Sequence, residues 1–239
     1  MRKINVITQK ELVDTELLRN CTAVVIDVLL ATSTIVSLLE NNYEPVYAVK
    51  DASTALELAR RQEQALLLGE WNGEKIEGFE YPDPTLFLQV EEKTPAIICS
   101  TNGTIAIEKA KYAKCLYISS LVNGHRVAEL IKQQEDESSI VLICSGNAGR
   151  FSIEDFVGAG HIVDHLTQKQ DYLLSDSAKL AKGTFQVAKS TQFKDLHSSE
   201  TACLLKSTGF QHTTNWVLEH FEAYNTVPFY KNGKLVSAT

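Results

Sequence analysis

The sequence is poor in residues that cross-link a chain or bend it sharply: its 239 residues include 5 cysteines, 5 prolines and 12 glycines. The odd number of cysteines and the absence of a CxxC pair argue against a disulfide framework. We therefore expect free, reduced thiols and a cytoplasmic protein. Cys99 and Cys144 end apolar runs, so we expect them to behave as small hydrophobic side chains.

Basic clusters and long apolar runs are also missing. The formal net charge is -7, and no group of lysines and arginines provides the basic face that binding to a phosphate backbone needs. No apolar run approaches the roughly 20 residues that span a bilayer. The opening stretch MRKINVITQKELVD has no apolar core of a secretory signal. We expect neither a nucleic-acid partner nor a membrane partner.

What the sequence does contain is an alternation of apolar, strand-length runs with segments of helical period. This alternation is typical of the α/β class, in which helices cover a parallel or mixed sheet. No linker divides the chain, so we expect a single domain over residues 1–239.

Local signals place individual elements within this pattern. Residues 23–29 (AVVIDVL) predict a buried strand, and ATSTIVSLLENN after it predicts a helix capped by threonine or serine. Asp51 is expected to cap the helix of DASTALELARRQEQ. Residues 72–85 predict a long irregular loop of a kind often used in function. Asn232–Gly233 predicts the turn of a closing hairpin.

Three predicted strands end in turns of similar composition. ICSTNGT (residues 98–104) and ICSGNAG (residues 143–149) share an apolar run, then Cys-Ser, Asn and Gly; IDVLLATST (residues 26–34) is a looser version. Small and hydroxylated residues let backbone N–H groups approach a ligand, and the helix N-terminus that follows favours an anion. Because ligands collect at the carboxyl ends of such strands, the turns predict one crevice that binds phosphate or carboxylate. The alternative is that each turn is only a good helix start.

Four carboxylates accompany these turns. Asp27 interrupts an apolar strand, where an unpaired charge is unfavourable, and Glu70 ends the run ALLLGE in a similar position. Glu154 and Asp155 begin the helix after the third turn. Mg²⁺ takes one or two carboxylates together with water and phosphate oxygens, so these residues suit that ion. Of the last two, Asp155 is the less favoured metal ligand. A satisfied structural carboxylate at Asp27 and simple helix-terminus charges at Glu154 and Asp155 are the alternatives.

Two histidines and one cysteine are weaker candidates. His161 and His165 lie four residues apart and could share a helix face, but no HExxH glutamate lies between them, so the pattern does not favour a zinc site. Cys144 precedes a Gly-rich turn and a helix N-terminus that could activate a nucleophile. We expect it instead to be a buried structural thiol.

At these motifs the chain resembles the 2-phosphosulfolactate phosphatase family, Mg²⁺-dependent phosphatases associated with sulfolactate and coenzyme M biosynthesis. The resemblance covers about residues 23–166, with a weaker similarity in ACLLKSTG and VPFYKNGKL. The matching pieces, in the order and spacing of the family, are VVIDVLLATSTIV, LLLGEWNGEKIEGF, STNGTIAIEKA, SSLVNGHRVAE and CSGNAGRFSIEDFVGAG. Five ordered motifs are far more specific than a single Gly-rich turn.

The resemblance implies a three-layer α/β/α fold with a mixed, largely parallel sheet, a bound Mg²⁺ ion, and hydrolysis of the phosphate ester of a small 2-hydroxy acid that carries a second anion. By motif position, the catalytic residues are Asp27 and Glu70 as metal ligands and Glu154 as a carboxylate that either positions water or supports the metal ligands without touching the metal. The residues expected to bind the phosphorylated substrate are Thr32, Ser100, Thr101, Asn102, Gly103, Ser145, Gly146 and Arg150. A homodimer is the default expectation for a soluble oligomer.

Two positions depart from the family pattern. Leu30 stands where the family reads DVLRAT, and Trp71 where it reads GER, so two arginines that could hold phosphate, carboxylate or sulfonate are missing. Arg126 and Arg150 could compensate in part, and Trp71 could line a pocket for a less anionic substrate. The alternatives are a changed substrate or reaction, and a non-catalytic anion-binding protein. Pairing of Asp27 with a lysine or arginine, or a Trp71 that fills the pocket, would favour the last.

Overall fold

The computed structural model describes residues 1–62 and 64–238. Numbered along the chain, its strands are β1 Lys3–Ile7, β2 Thr22–Ile26, β3 Val46–Val49, β4 Leu66–Trp71, β5 Glu74–Lys75, β6 Ala96–Cys99, β7 Cys115–Ser119, β8 Ile140–Cys144, β9 Leu173–Leu174, β10 Pro228–Lys231 and β11 Lys234–Ser237. Its helices are α1 Thr15–Leu18, α2 Ala31–Glu40, α3 Ala52–Ala59, α4 Gly103–Ala110, α5 Gly124–Gln133, α6 Ile153–Leu166, α7 Asp176–Ser190, α8 Glu200–Ser207 and α9 Gln211–Glu219. Short 3-10 helices cover Lys10–Leu12, Pro84–Leu86 and Lys194–Ser198. No helix among these combines the length and apolar character that crossing a bilayer requires.

The strands of the described residues form one mixed sheet in the order β5-β4-β6-β3-β11-β10-β7-β2-β8-β1-β9. The parallel pairs are β1 with β8 and β9, β2 with β7 and β8, and β6 with β3 and β4. The antiparallel pairs involve β5 and the hairpin of β10 and β11. The predicted α/β class with a mixed, largely parallel sheet is confirmed.

Helices cover both faces of the sheet because its central strands are apolar on both sides. Every residue of β2 is buried, and its side chains alternate between the faces. Val24 and Ile26 belong to a cluster that includes residues of α5, α6 and α7, whereas Ala23 and Val25 pack with residues of α2 and α4. The result is a three-layer α/β/α arrangement.

Two helix starts differ in how well local signals predict them. Asp51 caps α3 as predicted, because its carboxylate accepts a hydrogen bond from the Thr54 N–H at 2.8 Å. The predicted threonine or serine cap of α2 is wrong, since Leu30 precedes the helix and offers no side-chain cap. The Thr32 hydroxyl instead turns back to Asp27, donating to its carbonyl at 2.7 Å and accepting from its N–H at 2.9 Å. This pair of bonds fixes the backbone at the end of β2.

The predicted hairpin forms at Asn232–Gly233, whose φ angles of 52° and 83° are those the tight turn requires. Its place in the sheet is central: β11 pairs with β3, and β10 pairs with β7. The hairpin therefore joins the two parallel parts of the sheet.

Candidate active site

A cleft of about 220 Å³ opens at the carboxyl ends of β2, β4 and β6, beside the turn that follows β8. Its lining comes from these strand ends, the loop after β5, and α8: Asp27, Leu29, Leu30, Ala31, Glu70, Asn72, Gly73, Tyr81, Pro82, Ser100, Thr101, Asn102, Asn147, Ala148, Arg150, Thr201, Leu204 and Leu205. The position follows the rule that ligands of α/β sheets collect at the carboxyl ends of the strands. All three turns that resemble each other in sequence contribute residues to this cleft.

Asp27 is the most deeply buried carboxylate that lines the cleft, with 6% of its surface exposed. The N–H of Ala31, at the start of α2, donates a hydrogen bond to it. Burial, and then repulsion from Glu70 and Glu154, raise the pKa of Asp27 to about 7, while the positive charge of Lys10 opposes that rise. Within residues 1–62 and 64–238, no lysine or arginine forms an ion pair with Asp27. Its charge is therefore poorly compensated by the protein.

The start of α4 lies directly against Asp27. A Cβ atom on Gly103 would be 2.5 Å from the Asp27 Oδ2 atom and 2.6 Å from the Cβ of Ala31. Only glycine permits this approach, because real Cβ atoms essentially never come within 3.0 Å of another heavy atom. The first N–H groups of α4 have no partner within the helix, so their positive end is held beside the carboxylate.

Glu70, in β4, organises the turn between β6 and α4. Its Oε1 atom accepts the Thr101 N–H at 2.7 Å, and its Oε2 atom accepts the Gly73 N–H at 2.8 Å and the Thr101 hydroxyl at 3.0 Å. Both carboxylate oxygens thus have partners that orient them. Glu70 lines the cleft while holding two of its loops together.

Asp155 and Glu154, at the start of α6, lie behind the cleft rather than in its lining. Asp155 accepts the N–H groups of Val28 at 2.8 Å and Gly146 at 3.0 Å, so it joins the ends of β2 and β8. Burial, and then the charges of Asp27 and Glu154, raise the pKa of Asp155 well above its usual range. Glu154 is 2% exposed and acts on Asp27 electrostatically.

Lys10 is a buried cation beneath the cleft that the sequence motifs do not reveal. Its Nζ atom donates to the Asn102 side-chain oxygen at 2.8 Å and the Ser145 carbonyl at 3.3 Å, and it pairs with Glu11 at 3.0 Å. The same Asn102 oxygen accepts the Ala148 N–H at 3.0 Å. Lys10 therefore ties the turn after β6 to the turn after β8. Lys10 reaches this position because β1 pairs in parallel with β8, and no local motif in the sequence indicates that pairing.

The structure divides the predicted site residues into two groups. Those that line the cleft are Asp27, Glu70, Ser100, Thr101, Asn102 and Arg150. Those that do not are Thr32, Gly103, Ser145, Gly146 and Glu154, which bond or pack behind it. Further lining residues that were not among the predicted site residues include Tyr81, Asn147, Thr201, Leu204 and Leu205, of which Asn147, Leu204 and Leu205 lie within the quoted segments. Most of these come from segments far along the chain, so their approach depends on tertiary packing.

The cleft has little positive charge in its walls. Arg150 is the one lysine or arginine in its described lining, and its Nε atom donates to the exposed Glu200 at 3.1 Å. Arg126 does not compensate for a missing arginine, because it pairs with a glutamate of its own helix, α5, outside the lining. Trp71 is 50% exposed and is not among the residues that line the cleft, so it does not provide the apolar wall that the sequence left open as a possibility.

Cys144 is fully buried at the end of β8 and does not line the cleft. The sequence CSGNAGR places Arg150 at the C-x5-R spacing of a nucleophilic cysteine loop. Burial, and then the neighbouring Asp155 and Glu154, nevertheless raise the pKa of the Cys144 thiol well above its usual value. The predicted burial of this thiol is confirmed.

Comparison with known proteins adds an independent observation. The model of a family described as 2-phosphosulpholactate phosphatase matches residues 7–233. A "Probable 2-phosphosulfolactate phosphatase" of Thermotoga maritima is 37% identical over 218 residues, which are 90% of this chain and 91% of that protein. A protein of the same name from Clostridium perfringens (strain SM101 / Type A) is 33% identical over an alignment of 242 positions, which covers 98% of this chain and 95% of that protein. One from Carboxydothermus hydrogenoformans is 39% identical over 168 residues, 70% of this chain and 68% of that protein.

Proposed function

The chain belongs to the 2-phosphosulfolactate phosphatase family, and we propose that it is a Mg²⁺-dependent phosphatase acting on the phosphate ester of a small 2-hydroxy acid. Water adds to phosphorus, the ester P–O bond breaks, and the products are the hydroxy acid and inorganic phosphate. We also propose that it acts in the cytoplasm, in keeping with its free cysteines.

The position of Asp27 is the observation that carries the proposal. A buried carboxylate with a raised pKa, without an ion-pair partner among the described residues, lies between the N-termini of α2 and α4. Structural carboxylates are normally paired or fully hydrogen bonded, because an unpaired buried charge is unfavourable. Perturbed groups of this kind in a cleft are characteristic of functional sites.

The residues present fit a divalent cation with oxygen ligands. Asp27, Glu70, Glu154 and Asp155 gather around the cleft, and the buried cation Lys10 opposes the rise in the pKa of Asp27. Among the described residues, these carboxylates do not bring three ligand atoms within 4.8 Å of one another. Mg²⁺ does not require such a cluster, because it takes one or two carboxylates and completes its coordination with water and phosphate oxygens. Asp27 and Glu70 would hold the ion, since both line the cleft.

When bound, Mg²⁺ would neutralise charge on the phosphate and orient it. The protein itself supplies the N-terminus of α4, whose positive end suits phosphate oxygens. Asn102, held by Lys10 and the Ala148 N–H, fixes the start of that helix. Glu154 does not reach the lining, so we propose that it positions Asp27 rather than touching substrate.

A changed substrate within the same reaction is the second candidate, and the lining of the cleft favours it. Leu29, Leu30, Leu204 and Leu205 form an apolar part of the wall, and Arg150 is the one lining cation among the described residues. A sulfonate would need charge-assisted donors that leucine cannot supply. We therefore include hydroxy acids with an apolar substituent in the substrate class.

A non-catalytic binding protein is not favoured by the site. Neither feature that would indicate one is found in the described residues: Asp27 has no lysine or arginine partner, and Trp71 does not fill the cleft. The cleft remains open to a ligand at the carboxylate.

The test is phosphate release from 2-phosphosulfolactate, 2-phospholactate and apolar 2-phospho-hydroxy acids, with Mg²⁺ and with EDTA. We expect release that requires metal and is abolished in Asp27→Asn, a variant whose fold is checked by circular dichroism. Leu30→Arg should raise kcat/KM for the sulfonate substrate relative to the apolar ones. Absence of release from every substrate by folded, Mg²⁺-loaded protein would contradict the proposal.

A further inference from the structure

A group of three side chains of the metal-ligating types lies outside the cleft. His161 and His165 are on α6, and Glu222 lies in the segment that follows α9. The Nε2 atoms of His161 and His165 are 2.8 and 2.7 Å from the same Glu222 oxygen, Oε1. Potential ligand atoms of the three residues all lie within 4.8 Å of one another. This is the one such triad of His, Cys, Asp or Glu found within residues 1–62 and 64–238.

The fold fixes these three side chains before any ligand arrives. His161 and His165 are four residues apart, so their imidazoles share one face of α6. His161 is fully buried, with ring centroids 5.0 Å from Phe185 and 4.9 Å from Phe221. Glu222 has a left-handed φ of 57°, and its N–H donates to the Leu121 carbonyl at 3.1 Å. The glutamate absent from the helix itself is thus supplied by a distant segment.

We propose that His161, His165 and Glu222 bind one divalent transition-metal ion of the Zn²⁺ class. Bonds from zinc to nitrogen and oxygen are about 2.0–2.2 Å, so tetrahedral ligand atoms lie about 3.4 Å apart. The Nε2 and Oε1 atoms would need to separate by only about 0.6 Å to admit the ion. Because two of the ligands are imidazoles, the site would select Zn²⁺, Co²⁺ or Ni²⁺ over Mg²⁺.

The remaining coordination positions open toward solvent. The side chains of His165 and Glu222 are 20% and 28% exposed, so an ion and a water molecule can reach them. His125 lies close by, with its ring centroid 6.3 Å from that of His165 and its Nδ1 atom buried without a partner in the described structure. Rotation of His125 would offer a fourth protein ligand.

The positions of the imidazole protons limit the affinity of this site for a metal ion. To coordinate through Nε2, each neutral imidazole carries its proton on Nδ1. The Nδ1 atom of His161 is buried and has no hydrogen-bond partner in the described structure, although metal-bound histidines usually donate from this second nitrogen. We therefore expect binding that is saturable but weaker than that of closed four-ligand zinc sites.

The proposed ion would join α6 to the segment after α9, so its role is structural. The same helix begins with Glu154 and Asp155, whereas His161 and His165 lie on its second half. The proposal does not depend on the reaction catalysed in the cleft.

The test uses the full chain, stripped of metal with a chelator and returned to buffer with saturating Mg²⁺. Titration with Co²⁺ should give one equivalent of binding, with visible absorption typical of tetrahedral coordination, and Zn²⁺ should displace it and raise the Tm. His165→Gln and Glu222→Gln should abolish the spectrum and the Tm increase. His197→Gln, at an exposed position on a separate 3-10 helix, should retain both.

Asp27→Asn separates this site from the cleft, since it should leave Co²⁺ binding unchanged. His165→Gln is the decisive variant, because His165 is partly exposed and its replacement keeps a hydrogen-bonding group beside Glu222. Absence of saturable Co²⁺ binding in the wild-type protein, or binding that persists in folded His165→Gln, would overturn the proposal.

Discussion

The backbone of Gly103 lies against the carboxylate of Asp27, so closely that a methyl group on Gly103 would come within 2.5 Å of the Asp27 Oδ2 atom. The N-terminus of α4 can approach the carboxylate only because this residue has no side chain. One glycine therefore determines how near the positive end of the helix is to the group that we propose to hold the metal.

Replacing Gly103 with alanine should push α4 and Asp27 apart and reduce kcat/KM by roughly 100-fold, because small displacements of reacting groups have effects of that order. The matched control is Gly183→Ala in α7, where an added Cβ meets no atom within 4 Å. The control should keep full activity and gain about 0.5–1 kcal/mol of stability from its higher helix propensity. Equal activity in the two variants would show that the contact between Gly103 and Asp27 is unimportant.

Asp27→Asn should stabilise the metal-free protein at alkaline pH. The raised pKa, about 7, means that the folded protein holds a proton on Asp27 that the unfolded chain releases near its ordinary value. The wild-type free energy of unfolding should therefore fall, through this group, as the pH rises from about 4 to about 7. The asparagine of the variant cannot titrate, so the variant does not lose this stability as the pH rises. At pH 8 its Tm should therefore exceed that of the wild type by about 4 °C or more.

Urea denaturation of both proteins in EDTA, at pH 5 and pH 8, measures this difference. Added Mg²⁺ should stabilise the wild type more at pH 8 than at pH 5, and should not stabilise the variant. Parallel pH dependence in the two proteins would contradict the assignment of the raised pKa to Asp27.

Lys10→Met should weaken the junction of the turns after β6 and β8. The change removes the ammonium that bonds to Asn102 and to the Ser145 carbonyl, at a cost of about 1–3 kcal/mol for a buried partner left unpaired. It also removes the positive charge that lowers the pKa of Asp27, so this pKa should rise further above its ordinary value. Chemical denaturation and the pH profile of kcat/KM measure the two effects.

Lys179→Met is the control for that change, because Lys179 is exposed and its ion pair with Asp176 lies on the surface. Its stability should change by less than about 0.5 kcal/mol. A similar loss in both lysine variants would argue against a special role for Lys10.

Glu200→Gln should free Arg150 to contact substrate. The two side chains form an exposed pair, which contributes little to stability, so the free energy of unfolding should change by less than about 1 kcal/mol. In Glu200→Gln, the KM for substrates with a second anion should fall while kcat stays nearly constant. In Arg150→Gln, the KM for the same substrates should rise. Steady-state kinetics measures these KM values, with Arg61→Gln as the control at an exposed arginine. An unchanged KM in both Glu200→Gln and Arg150→Gln would exclude Arg150 from the binding of substrate.

The sequence predicted those parts of the site that depend on strand ends. Asp27, Glu70 and Thr101 reach one cleft because the carboxyl ends of parallel strands meet at the same edge of a sheet, and the apolar runs before these residues identify the strands. Asp51 was predictable as a helix cap for a similar reason, since the capping bond spans three residues.

Long-range contacts were not predictable. Lys10 reaches Ser145 only through the pairing of β1 with β8, and Leu205 reaches the cleft only through the packing of α8. Glu222 meets His165 across 57 residues. No local sequence pattern predicts these contacts, because each depends on how elements distant in the sequence pack together.

The central place of the β10–β11 hairpin has a consequence for biosynthesis. Residues 228–237 leave the ribosome after every other strand of the described sheet, yet they lie between β3 and β7. Until they emerge, the nascent chain carries two open strand edges in its middle, and such edges invite pairing with other chains. Truncation before residue 228 should therefore convert a soluble product into aggregates, and chaperone dependence should end when this hairpin inserts.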